Sequence, residues 1–283
     1  MTRMKFWKYQ GAGNDFIMVD QRNDRSVFRE NRLLIEKLCD RRFGIGADGL
    51  ILLEQHPEYD FEMIYFNSDG RESSMCGNGG RCIAAFAGHL GLADDYCRFL
   101  AIDGEHEAWI NPSGAHDAFT KTTKSLSWIE LKMSDVKTVE QKENVFILNT
   151  GSPHYVRFMD AVEGLDMVEE GRRVRYSERF KSEGINVNFA AVRQDGSLDI
   201  RTYERGVEDE TLACGTGVTA AALAYSMYAA KMEKTGEVAV HAIGGDLSVR
   251  YKVEPSPGSF SEIWLCGPAQ RVFQGEVSLP EIL

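Results

Sequence analysis

CGNG at Cys76–Gly79 returns as CGTG at Cys214–Gly217, 138 residues later. Working outward at that same offset, Tyr65 in FEMIYFN falls on Tyr203 in LDIRTYER. Gly46 in GIGADGLI falls on Gly184 in EGINVNFA, and Gly13 in GAGNDFIMV falls on Gly151 in NTGSPHYVR. One constant offset through four separated motifs identifies an internal duplication. Each half opens with a strand (Phe6–Tyr9; Val145–Asn149), a Gly turn and a second strand (Phe16–Asp20; His154–Phe158). A helix carrying Leu33, Leu34 and Leu38 at helical spacing follows in the first half, with a weaker counterpart over Asp166–Tyr176. Each Cys-Gly motif leads into an Ala-rich helix, near Gly79–Leu90 and Gly217–Lys231, and further strands close each half.

The expected fold class is therefore α+β: two pseudo-symmetric repeated domains, each a strongly curved sheet or barrel wrapped around a central Ala-rich helix. The final run RVFQGEV resembles the opening strand of a further unit and is expected to cross back to the first domain. The domains then span 1–122 with 268–283, and 123–267, joined through the polar, turn-rich stretch Asn111–Ser125.

Composition narrows the function. Of 283 residues, 43% are hydrophobic and 27% charged, as in ordinary globular proteins, and the net charge of -11 excludes a basic nucleic-acid surface. The N-terminus lacks the apolar core of a signal peptide. Leu212–Ala230 runs 19 residues without a charge, but its Ala, Gly, Thr and Ser content describes a helix buried in a protein core rather than a membrane span. Six cysteines, at 39, 76, 82, 97, 214 and 266, form no CxxC pair, so the usual zinc and dithiol patterns are absent and no disulfide framework is expected. GAGNDF lacks the third Gly of a dinucleotide fingerprint and precedes a strand, not a helix.

Two thiols, each at a Gly-rich helix start, point to a specific chemistry. Backbone N–H groups and the helix dipole at such a position attract anions and favour a thiolate. A carboxylate held between two such ends would place its α-carbon between two sulfurs. One thiolate could then remove the α-proton from one face while the opposite thiol protonates the other.

The segments GAGNDF, GIGADGL, FNSDGRESSMCGNGGRC, GSPHYV, GINVNF and YERGVEDETLACGTG make the chain resemble the diaminopimelate epimerases, pyridoxal-phosphate-independent racemases, over nearly its full length. The resemblance implies epimerisation of LL-diaminopimelate to the meso form with no cofactor and no metal. It implies Cys76 and Cys214 as acid and base, with His154 and Glu204 supporting them. Gly77, Asn78, Gly215 and Thr216 match the clamp on the reacting carboxylate, and Asn14, Asn67, Asn186, Glu204 and Arg205 match substrate-holding side chains. Ser152 stands where the family often has Asn, and Gly49 where many members have Gln. A cytoplasmic homodimer acting on a small amino acid, with no nucleic-acid or membrane partner, is the expected setting. Two alternatives differ in what they require. Proline racemases carry a His after the first Cys-Gly and a Pro before the second Cys, where this chain has Asn78 and Ala213. A catalytically silent amino-acid-binding relative would have no need of both thiols.

Overall fold

The duplication seen in the sequence is repeated in the strand pairings of the computed structural model, which describes residues 3–23, 26–27, 29–112, 125–229 and 233–279. Two compact units are present, Met1–Leu131 with Pro268–Leu283, and Lys132–Gly267. The linker stretch expected between the halves lies, over 113–124, outside the described residues.

In the first unit, β1 (Arg3–Gly11) and β2 (Asn14–Asp20) form an antiparallel hairpin around the Ala12–Gly13 turn. Helix α1 (Arg32–Cys39) crosses over to β3 (Gly49–Glu54), which pairs parallel to β2. β4 (Phe61–Asn67) returns antiparallel and, through the short β5 (Glu72–Ser73), leads into α2 (Gly77–His89). β6 (Tyr96–Ala101) pairs parallel to β4, followed by β7 (Gly104–Ile110) and β8 (Leu126–Lys132). The circuit closes through the last strand of the chain, whose Gln270–Ser278 part pairs with β1 and which also pairs with β8. The result is an eight-stranded barrel.

Helix α2 is the barrel's filling. Residues Gly77–Ala87 are all buried, which a helix rich in Gly and Ala tolerates because it is thin and mostly apolar, its two buried polar side chains, Asn78 and Arg81, bonding to each other. Phe86 meets the rings of Trp7 and Tyr9 at 5.0 and 5.7 Å. On α1, the Asn31 side chain caps the first turn by accepting from the Leu34 amide, and Leu34, Ile35, Leu38 and Cys39 are buried. Leu33, counted on the buried stripe from sequence spacing, is 78% exposed: the stripe is set by Leu34, Ile35 and Leu38, and Leu33 falls on the opposite side.

In the second unit, β9 (Glu140–Lys142), β10 (Val145–Asn149) and β11 (Pro153–Met159) precede α3 (Met167–Arg175). β12 (Asn186–Val192), β13 (Leu198–Glu204), β14 (Asp209–Thr211) and α4 (Gly215–Tyr228) follow, then β15 (Thr235–Ala242), β16 (Gly245–Val253) and the first part of β17 (Phe260–Ser278), the strand whose end belongs to the first unit. The alternation of antiparallel and parallel pairs from β10 to β16 is the one found from β1 to β7. Val136 bridges Phe260, and the segment it belongs to continues into β9 against β10, completing the second circuit. Gly46 and Gly184 hold matching left-handed conformations, φ 82° and 76°. Helix α4 is buried from Gly217 to Ser226, and its Tyr228 stacks on Phe158 at 4.5 Å.

The helix expected weakly over Asp166–Tyr176 is α3, with Asp166 as N-cap, Glu169 and Glu170 in its first turn and three arginines in its last. That charge order suits the helix dipole. It buries Met167 and Gly171, and a Cβ on Gly171 would meet the Tyr203 ring at 2.4 Å. So short an apolar stripe leaves little periodicity for a sequence to display.

Candidate active site

Cys76 is the N-cap residue of α2, extended at φ −102° and ψ 147°. Its sulfur accepts from the Gly79 amide at 3.2 Å, one of the first-turn donors that a helix cannot satisfy internally. Residue 79 sits close to its neighbours: a Cβ there would lie 3.1 Å from the Cys76 sulfur and 3.3 Å from Ile51 Cδ1. Beside the thiol runs a directed chain of amides. Arg81, wholly buried, donates to Asn78 Oδ1 at 2.8 Å, which fixes the Asn78 amide orientation because a guanidinium only donates. Asn78 Nδ2 then donates to Asn14 Oδ1 at 2.6 Å, and Asn14 Nδ2 to Asp48 Oδ2 at 2.9 Å. Arg41 reaches both Asp48 and Asp15 at 2.6 Å, and Lys8 pairs with Asp15 at 2.7 Å. Burial alone would raise the Asp15 carboxyl; the hydrogen bonds and charges of Arg41 and Lys8 overcome it and hold the group down at about 2.

Cys214 is the N-cap of α4, extended at φ −111° and ψ 111° and 8% exposed. Its sulfur lies 3.4 Å from Thr216 Oγ1, which lies 2.9 Å from His154 Nε2. The other ring nitrogen, Nδ1, is 3.1 Å from Asn188 Nδ2. His154 has no solvent exposure, and burial, with the Arg205 charge adding to it, pushes its imidazole down to about 3. Thr150 donates to the Thr216 carbonyl at 2.8 Å and so ties the hairpin turn to the start of α4.

Near this set, Asn186 Nδ2 donates to Ser152 Oγ at 2.8 Å, and Asn186 Oδ1 accepts from the Arg205 amide at 2.9 Å. The exposed Arg205 guanidinium donates to the Glu183 carbonyl at 3.0 Å. Glu204 sits at the end of β13 opposite Asp209; burial raises its carboxyl, with the Thr211 hydroxyl acting in the opposite sense. Asn67 is exposed at the end of β4, paired with Gly49. A Cβ on Gly49 would meet Phe66 O at 2.5 Å and the Tyr65 ring at 2.6 Å, so Tyr65 fills the room a longer residue would take.

Hydrogen bonds thus gather sequence-predicted residues into one group in the first unit, Asn14–Asn78, and two in the second, Ser152–Asn186–Arg205 and His154–Thr216–Cys214. The remaining cysteines are buried, and burial pushes the Cys39 and Cys97 thiols up to about 12 and Cys82 higher still. Sequence reasoning missed Asp48, Arg81 and Asn188 as partners. The signal for Asn188 was its place two residues after Asn186, which puts a second amide on the same face of β12.

Among the described residues, no group of three or more His, Cys, Asp or Glu side chains is gathered in the manner of a metal site. No helix among them is long and apolar enough to cross a membrane. Residues 6–122 and 146–272 match the family profile described as diaminopimelate epimerase. The chain is 47% identical to the diaminopimelate epimerase of Flavobacterium psychrophilum, covering 96% of this chain and 99% of that protein. It is 36% identical to that of Aquifex aeolicus, covering 97% and 98%. Among solved structures it resembles a phenazine biosynthesis protein of the PhzF family from Bacillus anthracis (TM-score 0.74, 16% identity, 99% and 100% covered). A probable proline racemase from Agrobacterium radiobacter K84 has the same fold (TM-score 0.63, 14% identity, 98% and 93% covered).

Proposed function

The chain belongs to the diaminopimelate epimerase family and is an isomerase, and from that premise we propose that it converts LL-2,6-diaminopimelate to the meso form through Cys76 and Cys214. The observation that carries this reading is that each thiol is the N-cap residue of its unit's central helix. The chemistry needs no cofactor. A thiolate takes the α-proton: the C–H bond breaks, an S–H bond forms, and the electron pair is left on the α-carbon and its carboxylate. The second thiol gives up its proton to the opposite face, a new C–H bond forms, and that sulfur becomes the thiolate. In the reverse direction the two sulfurs exchange roles.

The weak acidity of an amino-acid α-C–H sets the demand. First-turn N–H groups after Cys76 and Cys214 would bind the reacting carboxylate and stabilise charge that grows on it in the transition state. Arg205 suits the distal carboxylate, since a guanidinium pairs bidentately with one, while Asn14, Asn67, Ser152 and Asn186 would orient the amino groups. His154 acts on Cys214 through Thr216. We read the protein as a cytoplasmic homodimer working in lysine and peptidoglycan precursor synthesis.

The test is incubation of reduced protein with LL-diaminopimelate in deuterium oxide. Incorporation of deuterium at one α-carbon with appearance of the meso isomer supports the reading. Absence of both exchange and isomerisation under reducing conditions overturns it.

A further inference from the structure

We propose that Asn188 is a positioning residue: its side-chain amide locks His154 in the Nε2–H tautomer, which leaves the Thr216 hydroxyl to donate to the Cys214 sulfur. This rests on the assignment of Cys214 to the reaction, although the hydrogen-bond pattern itself does not.

The assignment starts from the one partner that has no choice. Asn188 Nδ2 lies 3.0 Å from the Tyr155 carbonyl oxygen, which can only accept, so the amide nitrogen must face it. With the amide turned this way, Asn188 Oδ1 accepts from the Thr202 hydroxyl at 2.9 Å. The second N–H of the same Nδ2 then points to His154 Nδ1 at 3.1 Å. A ring nitrogen that accepts carries no proton, so the neutral imidazole carries its proton on Nε2. Nε2 donates to Thr216 Oγ1 at 2.9 Å. The threonine oxygen is thereby an acceptor toward His154, and its single hydrogen is left for the Cys214 sulfur at 3.4 Å. A hydrogen bond of that kind strengthens when the sulfur is a thiolate and so favours the charged form.

Two features of the fold bear on Asn188. A Cβ at Gly217 would stand 2.4 Å from Asn188 Oδ1, so the third residue of α4 is reduced to glycine beneath this amide. The duplicated unit shows that the arrangement is no requirement of the barrel. Val156 pairs with Asn188 where Met18 pairs with Ile51, and Phe16 stands at the repeat position of His154. An apolar pair fills the same place there. His154 and Asn188 are both without solvent exposure, so water does not compete for the ring nitrogens.

The test reads the tautomer and the thiol separately from turnover. In 15N spectra of histidine-labelled protein, His154 should show a protonated Nε2 and an unprotonated Nδ1 throughout neutral pH. The pH midpoint of iodoacetamide alkylation at Cys214, followed by mass, should rise by about one to two units in Asn188→Ala, the worth of one hydrogen bond to a charged group. Thr216→Val should raise it by a similar amount, Thr216→Ser should restore it, and the double variant Asn188→Ala with Thr216→Val should shift no further than either alone. A protonated Nδ1 in the wild type, an unmoved midpoint in folded Asn188→Ala, or additive shifts would each overturn the proposal. Should Asn188→Ala fail to fold, the wild-type tautomer and the Thr216 pair still decide it. Loss of the functional reading would appear elsewhere, as wild-type protein with the expected tautomer that does not exchange the α-hydrogen of LL-diaminopimelate.

Discussion

Cys76 and Cys214 occupy the same backbone position in two copies of one architecture, yet their neighbours differ in kind. In the first unit, Phe16 and Ile51 stand where the second has His154 and Asn188. The first glycine of interest, Gly79, gives way to the Cys76 sulfur and to Ile51; its counterpart Gly217 gives way to the Asn188 amide. Polar support in the first unit runs instead from Asn78 through Asn14 to the Asp48 carboxylate. Duplication conserved the helix N-terminus, which is a backbone property, and let the side chains behind each thiol diverge. A two-base reaction tolerates this, because its two groups must hold opposite protonation states in each turnover.

The largest effect expected is loss of either thiol. Cys76→Ser and Cys214→Ser should each lower the isomerisation rate about 10²- to 10⁴-fold, the usual worth of a positioned acid or base. A comparable loss at only one position would show that the copies are unequal in chemistry as well as in surroundings. His154→Phe, which gives the second unit the residue of the first, should cost roughly ten- to a hundredfold, the value of one hydrogen bond to a charged group. An unchanged rate and pH profile in that variant would mean that the polar chain is structural.

Acid should separate the two copies. His154 titrates at about 3 in the fold against 6.5 for the free side chain. The unfolded chain therefore binds a proton that the folded chain refuses, and stability falls as pH drops from about 6.5 toward 3. Asp15 works over a lower window, from 3.8 to about 2, where the stabilisation from its ion pairs is lost as the carboxylate protonates. Hydrogen exchange should show amides of β11 and β12 losing protection at higher pH than those of β1 and β2, and His154→Phe should narrow the gap. Simultaneous loss of protection in both units would contradict this ordering.

Smaller effects test the packing. Gly217→Ala should cost more stability than Gly79→Ala, within roughly 1–3 kcal/mol for overpacking, because its added methyl would stand 2.4 Å from an amide held by three hydrogen bonds, whereas the other comes no nearer than 3.1 Å to the Cys76 sulfur and 3.3 Å to Ile51. Urea unfolding midpoints would rank them. Cys82→Ser, whose sulfur is a member of neither polar chain, should leave the rate nearly unchanged; a loss like that of Cys76→Ser would mean that the thiols are misassigned.

Much of this was legible without coordinates. The 138-residue offset located both barrels, both central helices and both thiols, because backbone turns demand glycine at fixed places and a helix enclosed by strands demands small residues. Six histidines and many asparagines offered no comparable guide to which of them act together. That His154 is a neutral donor depends on Asn188 and Tyr155 lying on neighbouring strands β12 and β11, 33 residues apart in the chain. Local spacing determined the repeated scaffold and the helix-capping cysteines. Strand register alone decided which polar side chains meet behind each sulfur, since a hydrogen bond depends on position within a fraction of an ångström and no residue carries that in its identity.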